Sequence, residues 1–246
     1  MSGAQIAQLY RAVLRRAWPA ALLYALLMSY FLDRLTLSLP DLLAPDAVER
    51  YSEFIVSASL WRSVLAVTLL SLWPTSALVV CALRLSGGQS PPLAGGLLAA
   101  LRAYPAVLAL SLVYLALTAL GLMLFVVPGI YLAGVLQLWV VALLSGEASV
   151  GSALQSSWRR VGHHWWRSNS MVAIVVLCGL GVGALVSLGA DLLVHVVAAL
   201  WAPNAAVQRL TALAVSVLGN FVTVPAYPVA LVASYRDLAQ PVAPQP

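Results

Sequence analysis

The densest chemistry in this chain lies between Trp158 and Arg167, where Trp158, Arg159, Arg160, His163, His164, Trp165, Trp166 and Arg167 fall within three helical turns. A guanidinium group grips a phosphate through two parallel N–H bonds, and an indole ring settles well among lipid headgroups. The combination reads in two ways: a site for anionic lipid or lipid phosphate, or an ordinary interfacial anchor without ligand preference. Arg16 and Arg102 join it as headgroup-level cations. Zinc suits the pair His163-His164 poorly. Adjacent residues point about 100° apart on a helix, and no Cys or acidic partner is near in sequence.

Two further groups could carry chemistry. Asp191 and His195 stand four residues apart, on one helical face. At membrane depth such a pair suits a proton relay; at an interface, water satisfies it. Asn220 and Thr223 precede Pro225 and Pro228. They suit capping of a broken helix or lining of a cavity, and also plain hydrogen bonding between helices. Arg62, near the start of an apolar run, reads as a side chain reaching outward to headgroups. Enzyme signatures are missing: no Gly-rich loop with Lys, no nucleophile elbow, no metal-binding His-Glu cluster and no paired carboxylates inside an apolar segment. No cofactor is expected.

The elements that must position these residues are apolar helices. From Ala103 to Gly146, about 44 residues, the chain has no Asp, Glu, Lys, Arg or His, roughly twice the length of one bilayer-spanning helix. Pro128-Gly129 near its middle is a turn signal and predicts a hairpin of two spans. Only 9% of the chain is charged and 62% is hydrophobic, with a mean hydropathy of +0.95. A soluble domain carries about 25% charge. The 246 residues leave room for several spans but not for an added soluble catalytic domain of ordinary size. Cys81 and Cys178 each lie in an apolar run and read as packing residues, not as a disulfide or metal pair.

Six spans are predicted, over residues 18–35, 64–83, 105–127, 130–144, 171–190 and 210–234. The first follows Arg11, Arg15 and Arg16 as a signal peptide would, but Asp33-Arg34 follows it in place of a small-residue cleavage site, so it reads as a retained span. Trp73-Pro74, Pro225 and Pro228 predict kinks of a kind membrane helices accept. Gly179, Gly181, Gly183 and Gly189 mark close helix packing in the fifth span. All 13 basic residues are Arg, which suggests a GC-rich bacterial genome. Nine of them (11, 15, 16, 84, 102, 159, 160, 167 and 236) fall on one side of a six-span topology. Four (34, 50, 62 and 209) fall on the other, with Asp33, Asp41, Asp46, Glu49 and Glu53. That asymmetry predicts both termini in the cytoplasm and the acidic segment 33–53 as the main periplasmic loop. Scattered between spans, the Arg residues point to topology and lipid contact, not to nucleic acid.

An internal repeat is also predicted. Ile6, Leu9, Val13 and Ala17 form one face of an amphipathic helix ahead of the first span. Arg16-Ala17-Trp18-Pro19-Ala20-Ala21-Leu22 is echoed by Arg102-Ala103-Tyr104-Pro105-Ala106-Val107-Leu108. A third amphipathic helix is expected from Ser149 to Arg167, with Val150, Leu154, Trp158, Val161 and Trp165 on its apolar face and Arg159, His163 and Arg167 on another. The chain thus divides into three units (about 1–84, 89–145 and 147–235), each an amphipathic helix followed by two spans. Pro241, Pro244 and Pro246 mark a disordered tail, 241–246, after a single membrane domain, 1–240.

Val126-Val127-Pro128-Gly129-Ile130-Tyr131, then Gly146-Glu147-Ala148-Ser149, Ala153-Leu154 and Ser157-Trp158, resemble the membrane domain of glycerophosphoryl diester phosphodiesterases and the related YciC-like bacterial integral membrane proteins. The resemblance covers roughly residues 85–190. It implies a six-span fold and membrane location. It does not imply hydrolase activity, because the phosphodiesterase domain is not in this sequence. Leu136-Gln137-Leu138 departs from the family, in which a basic residue often follows the turn.

These readings lead to an all-α, six-span membrane protein of the bacterial inner membrane. The expected function is non-enzymatic: interaction with lipid, or support of a membrane complex as a subunit or assembly factor. The alternative is a transporter or channel for a lipid or small amphiphile. Expected partners are phospholipids of the cytoplasmic leaflet, with a larger membrane complex or a second copy of the chain as further candidates.

Overall fold

In a computed structural model of the chain, residues 1–38, 46–89, 93–201 and 204–239 are described; Asp41 of the acidic segment and the predicted tail 241–246 lie outside them. The described residues are helical throughout, joined by short turns, with no strand. α1 (Gly3–Arg16) opens with a capping box, in which the Ser2 side chain accepts from the Gln5 amide and the Gln5 side chain accepts from the Ser2 amide. It buries Leu9 and Val13 and is followed by α2 (Trp18–Ser38), α3 (Ala47–Val56) and α4 (Ala58–Ser86). α5 (Leu93–Leu124) pairs with a broken helix made of α6 (Val126–Leu136) and α7 (Trp139–Leu144). α8 (Ala153–Val161) and a 3-10 turn (Gly162–His164) lead into α9 (Trp165–Trp201). The chain closes with α10 (Ala205–Thr223) and α11 (Ala226–Ala239).

Among the described residues, five segments are long and apolar enough to cross a membrane: α4, α5, α6 with α7, the stretch through α8 and α9, and α10 with α11. α2 has 21 residues, with Asp33 and Arg34 in its C-terminal part. It packs between α4 and α10. The burial pattern is that of a protein in lipid. The two most apolar segments, those of α5 and α9, are only 17% buried, whereas the segment of α6 and α7 is 50% buried. Water would reverse that order, since exposed apolar area is its main penalty; a bilayer has no such preference. The core is centred on Leu78, Val79 and Ala82 of α4, Val229, Leu231 and Val232 of α11, and Val135, Leu138 and Val141 beside them.

Several expectations are corrected. The hairpin reverses at Phe125, which is extended between α5 and α6. Pro128 therefore sits in the first turn of α6, where a missing N–H costs little. Gly129 allows the close approach: a Cβ there would stand 2.6 Å from the Leu122 backbone nitrogen. The seven-residue echo does not repeat a local structure. A break at Ala17 separates α1 from α2, while α5 runs unbroken through Pro105. Tyr104 is also turned inward and donates to the Leu69 carbonyl at 2.9 Å. The expected helix from Ser149 to Arg167 is three pieces. Ala153, Ser157 and Val161 form its buried face, and Trp158 is exposed. Of the four glycines in α9, Gly179 meets Ala226 and Gly183 meets Thr223, but Gly181 and Gly189 face open space. The break between α10 and α11 at Val224-Pro225 follows the predicted kink. Cys81 is buried; Cys178 is exposed on α9.

Candidate functional site

The basic-aromatic cluster is split in two by the fold. Gly162, a poor helix former, sits where α8 gives way to the 3-10 turn. The change of direction sends neighbouring side chains to opposite sides. Arg159, His163, His164 and Trp166 face outward, Trp166 at 79% exposure. Arg160, Trp165 and Arg167 are used within the molecule.

Arg160 lies between two helices. Its Nη2 is 2.5 Å from Glu147 Oε2, and its guanidinium stands 4.2 Å over the ring of Tyr235. The Tyr235 hydroxyl donates to the same Glu147 oxygen at 2.7 Å, and its side chain is 1% exposed. Arg167 Nη2 lies 2.9 Å from Asp237 Oδ2, while the Met1 amine meets the other oxygen at 2.9 Å. Trp165 stacks on Tyr131 with ring centres 6.1 Å apart and donates to the Tyr131 carbonyl at 3.3 Å. Gly134 makes that possible, since a Cβ there would meet Trp165 Nε1 at 2.6 Å.

Beneath this brace runs a buried polar seam. Ser157, fully buried, donates to the Val135 carbonyl at 2.7 Å and accepts from the Leu138 amide at 3.1 Å. It thereby satisfies both strands of the break between α6 and α7. Gln137 Nε2 donates to Asn169 Oδ1 at 3.2 Å, and the hydroxyls of Ser168 and Ser234 are 2.8 Å apart.

The other predicted residues are dispersed. Arg16 and Arg102 are exposed on α1 and α5. Asp191 and His195 do share a face of α9, with His195 Nδ1 3.6 Å from Asp191 Oδ2, but both are exposed. Asn220 donates to the buried Ser29 hydroxyl at 2.9 Å, and Thr223 donates to its own helix at Gly219, 2.9 Å away. These two residues thus serve helix-to-helix contact and local backbone bonding. Arg62 is exposed and donates to Ala58. At the opposite end of the bundle from the brace, Arg209 pairs with Asp33 at 2.9 Å.

Sequence reasoning missed Glu147, Tyr235, Asp237 and the polar seam. One signal was present: Glu147 is the only acidic residue between Glu53 and Asp191. A lone carboxylate amid apolar chain has to find a cation. The residues that carry the family resemblance hold local structural posts, with Gly129 at the hairpin, Glu147 in the brace and Ser157 at the break. No family model, curated protein or solved structure matches the chain.

Proposed function

We propose that this chain is a non-enzymatic, six-span protein of a bacterial inner membrane whose cytoplasmic face binds anionic phospholipid. In this reading α2 is the sixth span, α1 and α8 are interfacial helices that precede the first and third hairpins, and both termini are cytoplasmic. Nine Arg on one side against four on the other support the orientation. The Pro-Gly-Ile and Ser-Trp residues quoted above support kinship with the YciC-like proteins.

The observation that carries the reading is the outward strip of Arg159, His163, His164 and Trp166. Arg160 and Arg167 hold α8 and the start of α9 against acids, so the strip is presented on a fixed scaffold. A cation and an indole side by side at the headgroup level match an anionic lipid surface. A transport role would draw on the breaks at Gln137 and Pro225, but the polar side chains near them bond to one another or to the backbone. That pairing favours the lipid reading. The same strip could seat against a larger membrane complex through shared lipid.

The test is lipid retention. Replacing Arg159, His163, His164 and Trp166 together by Ala should lower co-purified phosphatidylglycerol at least severalfold, with the thermal midpoint little changed. Equal lipid in a stable variant would defeat the proposal. A stoichiometric protein that leaves with the strip would instead favour the complex.

A further inference from the structure

A second basic site lies away from that strip, in a cleft of about 470 Å³ where α4, α5, α7 and α11 meet. Arg84, from the last turn of α4, and Arg236, from α11, both line it. Its lower wall is apolar, made by Val80, Leu83, Ala103 and Leu143. The one acid in the lining is Glu147. That carboxylate is already engaged, by Arg160 at 2.5 Å and by the Tyr235 hydroxyl at 2.7 Å. Arg236 has only a hydroxyl, Ser86 Oγ at 3.3 Å, and neither Arg84 nor Arg236 forms an ion pair among the described residues. Two guanidinium charges thus face one small cleft whose one carboxylate, Glu147, is paired with Arg160. Half-buried cations that line one cleft favour an anion within it.

The wall beneath sets the class of anion. A phosphate held at the rim would leave an attached chain against Val80, Leu83 and Ala103, continuous with the apolar flanks of α4 and α5. Gly87 lines the rim beside Arg236: a Cβ there would be in ordinary contact with Arg236 Nη2, at 3.6 Å, and a longer side chain would lie across it. We infer that the Arg84–Arg236 cleft is a binding site for a phosphate-bearing ligand, with a phospholipid headgroup as the source its apolar wall favours. The inference rests on the reading above that this end of the bundle lies at headgroup level, but not on the α8 strip.

Titration of the purified full chain in neutral detergent tests it, with binding read by native mass spectrometry. The probes are dioleoyl phosphatidate, dioleoyl phosphatidylcholine and inorganic phosphate. Arg84→Gln and Arg236→Gln should each weaken phosphatidate binding about tenfold, and the pair about a hundredfold. The strip variant should bind it normally. That contrast separates the two proposals: loss in the strip variant alone would overturn the cleft and leave the proposed function intact. Inorganic phosphate that displaces phosphatidate, and itself needs both Arg, would make the free anion the source while upholding the site. Gly87→Leu, which covers Arg236 without removing charge, should weaken binding at least tenfold and serves if the double Gln variant does not assemble. Phosphatidate affinity within twofold of wild type in a folded double Gln variant, or in Gly87→Leu, would overturn the inference.

Discussion

Arg160→Ala should destabilise the protein without lowering its lipid content, the reverse of the outcome for its neighbour Arg159. The magnitude follows from the contacts. The ion pair with Glu147 is close at 2.5 Å, but the carboxylate is 47% exposed. Solvent screening therefore limits it to about 0.2–1 kcal/mol. The guanidinium lies over a Tyr235 ring that is almost wholly buried, and such a contact contributes about 1–2 kcal/mol. Together the loss is about 1–3 kcal/mol. Unfolding by titration with sodium dodecyl sulfate, followed through tryptophan fluorescence, would measure it. A double-mutant cycle with Tyr235→Leu should show coupling of about 1 kcal/mol, since the two residues touch. If Arg160→Ala unfolded with the wild-type midpoint and shed as much phosphatidylglycerol as Arg159→Ala, the division into outward and inward cations would be refuted. Arg160 would then be a lipid ligand.

Two other changes probe the scaffold. Ser157→Ala removes the hydroxyl that serves both the Val135 carbonyl and the Leu138 amide; two buried backbone groups lose their partner, and a loss of about 2–4 kcal/mol is expected in the same titration. Gly129→Ala would push a methyl group to 2.6 Å from the Leu122 backbone nitrogen, so the hairpin must shift; about 2 kcal/mol or more is expected, with reduced yield of folded protein on size exclusion, and wild-type yield and midpoint would show that the α5–α6 approach is loose.

The helices were legible wherever the chain stays apolar for about twenty residues, because only a bilayer tolerates that and only helices satisfy their backbone inside it. Their breaks were less so. Pro128-Gly129 carries a strong turn signal, yet the reversal falls at Phe125, since a proline in the first turn of a helix is as well suited as one in a turn. Gln137 interrupts a helix with no Pro or Gly beside it. What permits that break is Ser157, nineteen residues beyond Leu138, and periodicity carries no trace of such a partner. The basic cluster was legible as a composition but not as two surfaces. Arg159 and Arg160 are adjacent in sequence, and what separates their roles is a single carboxylate, Glu147, together with the turn at Gly162.

The two helices that read as membrane anchors also complete the spans. Each lies against a place where an apolar helix is broken and backbone groups need a partner. α8 sends Ser157 to the break between α6 and α7. α1 sends Tyr10, whose hydroxyl donates to the Val222 carbonyl just before the break at Pro225. Burial pushes the Tyr10 phenol up from its ordinary pKa, so it remains a donor. An exposed carbonyl in hydrocarbon costs several kcal/mol, so neither break is stable until its interfacial helix has docked. The outward-facing residues of α8 are thereby tied to the interior. On the proposed function, lipid that holds the outward strip of α8 in place would also hold Ser157 at its break. Binding at the strip should therefore raise the unfolding midpoint of the wild-type chain. In Ser157→Ala, where that link is cut, the gain from anionic lipid should be smaller. An equal gain in both would show that α8 docks on the spans without bracing them.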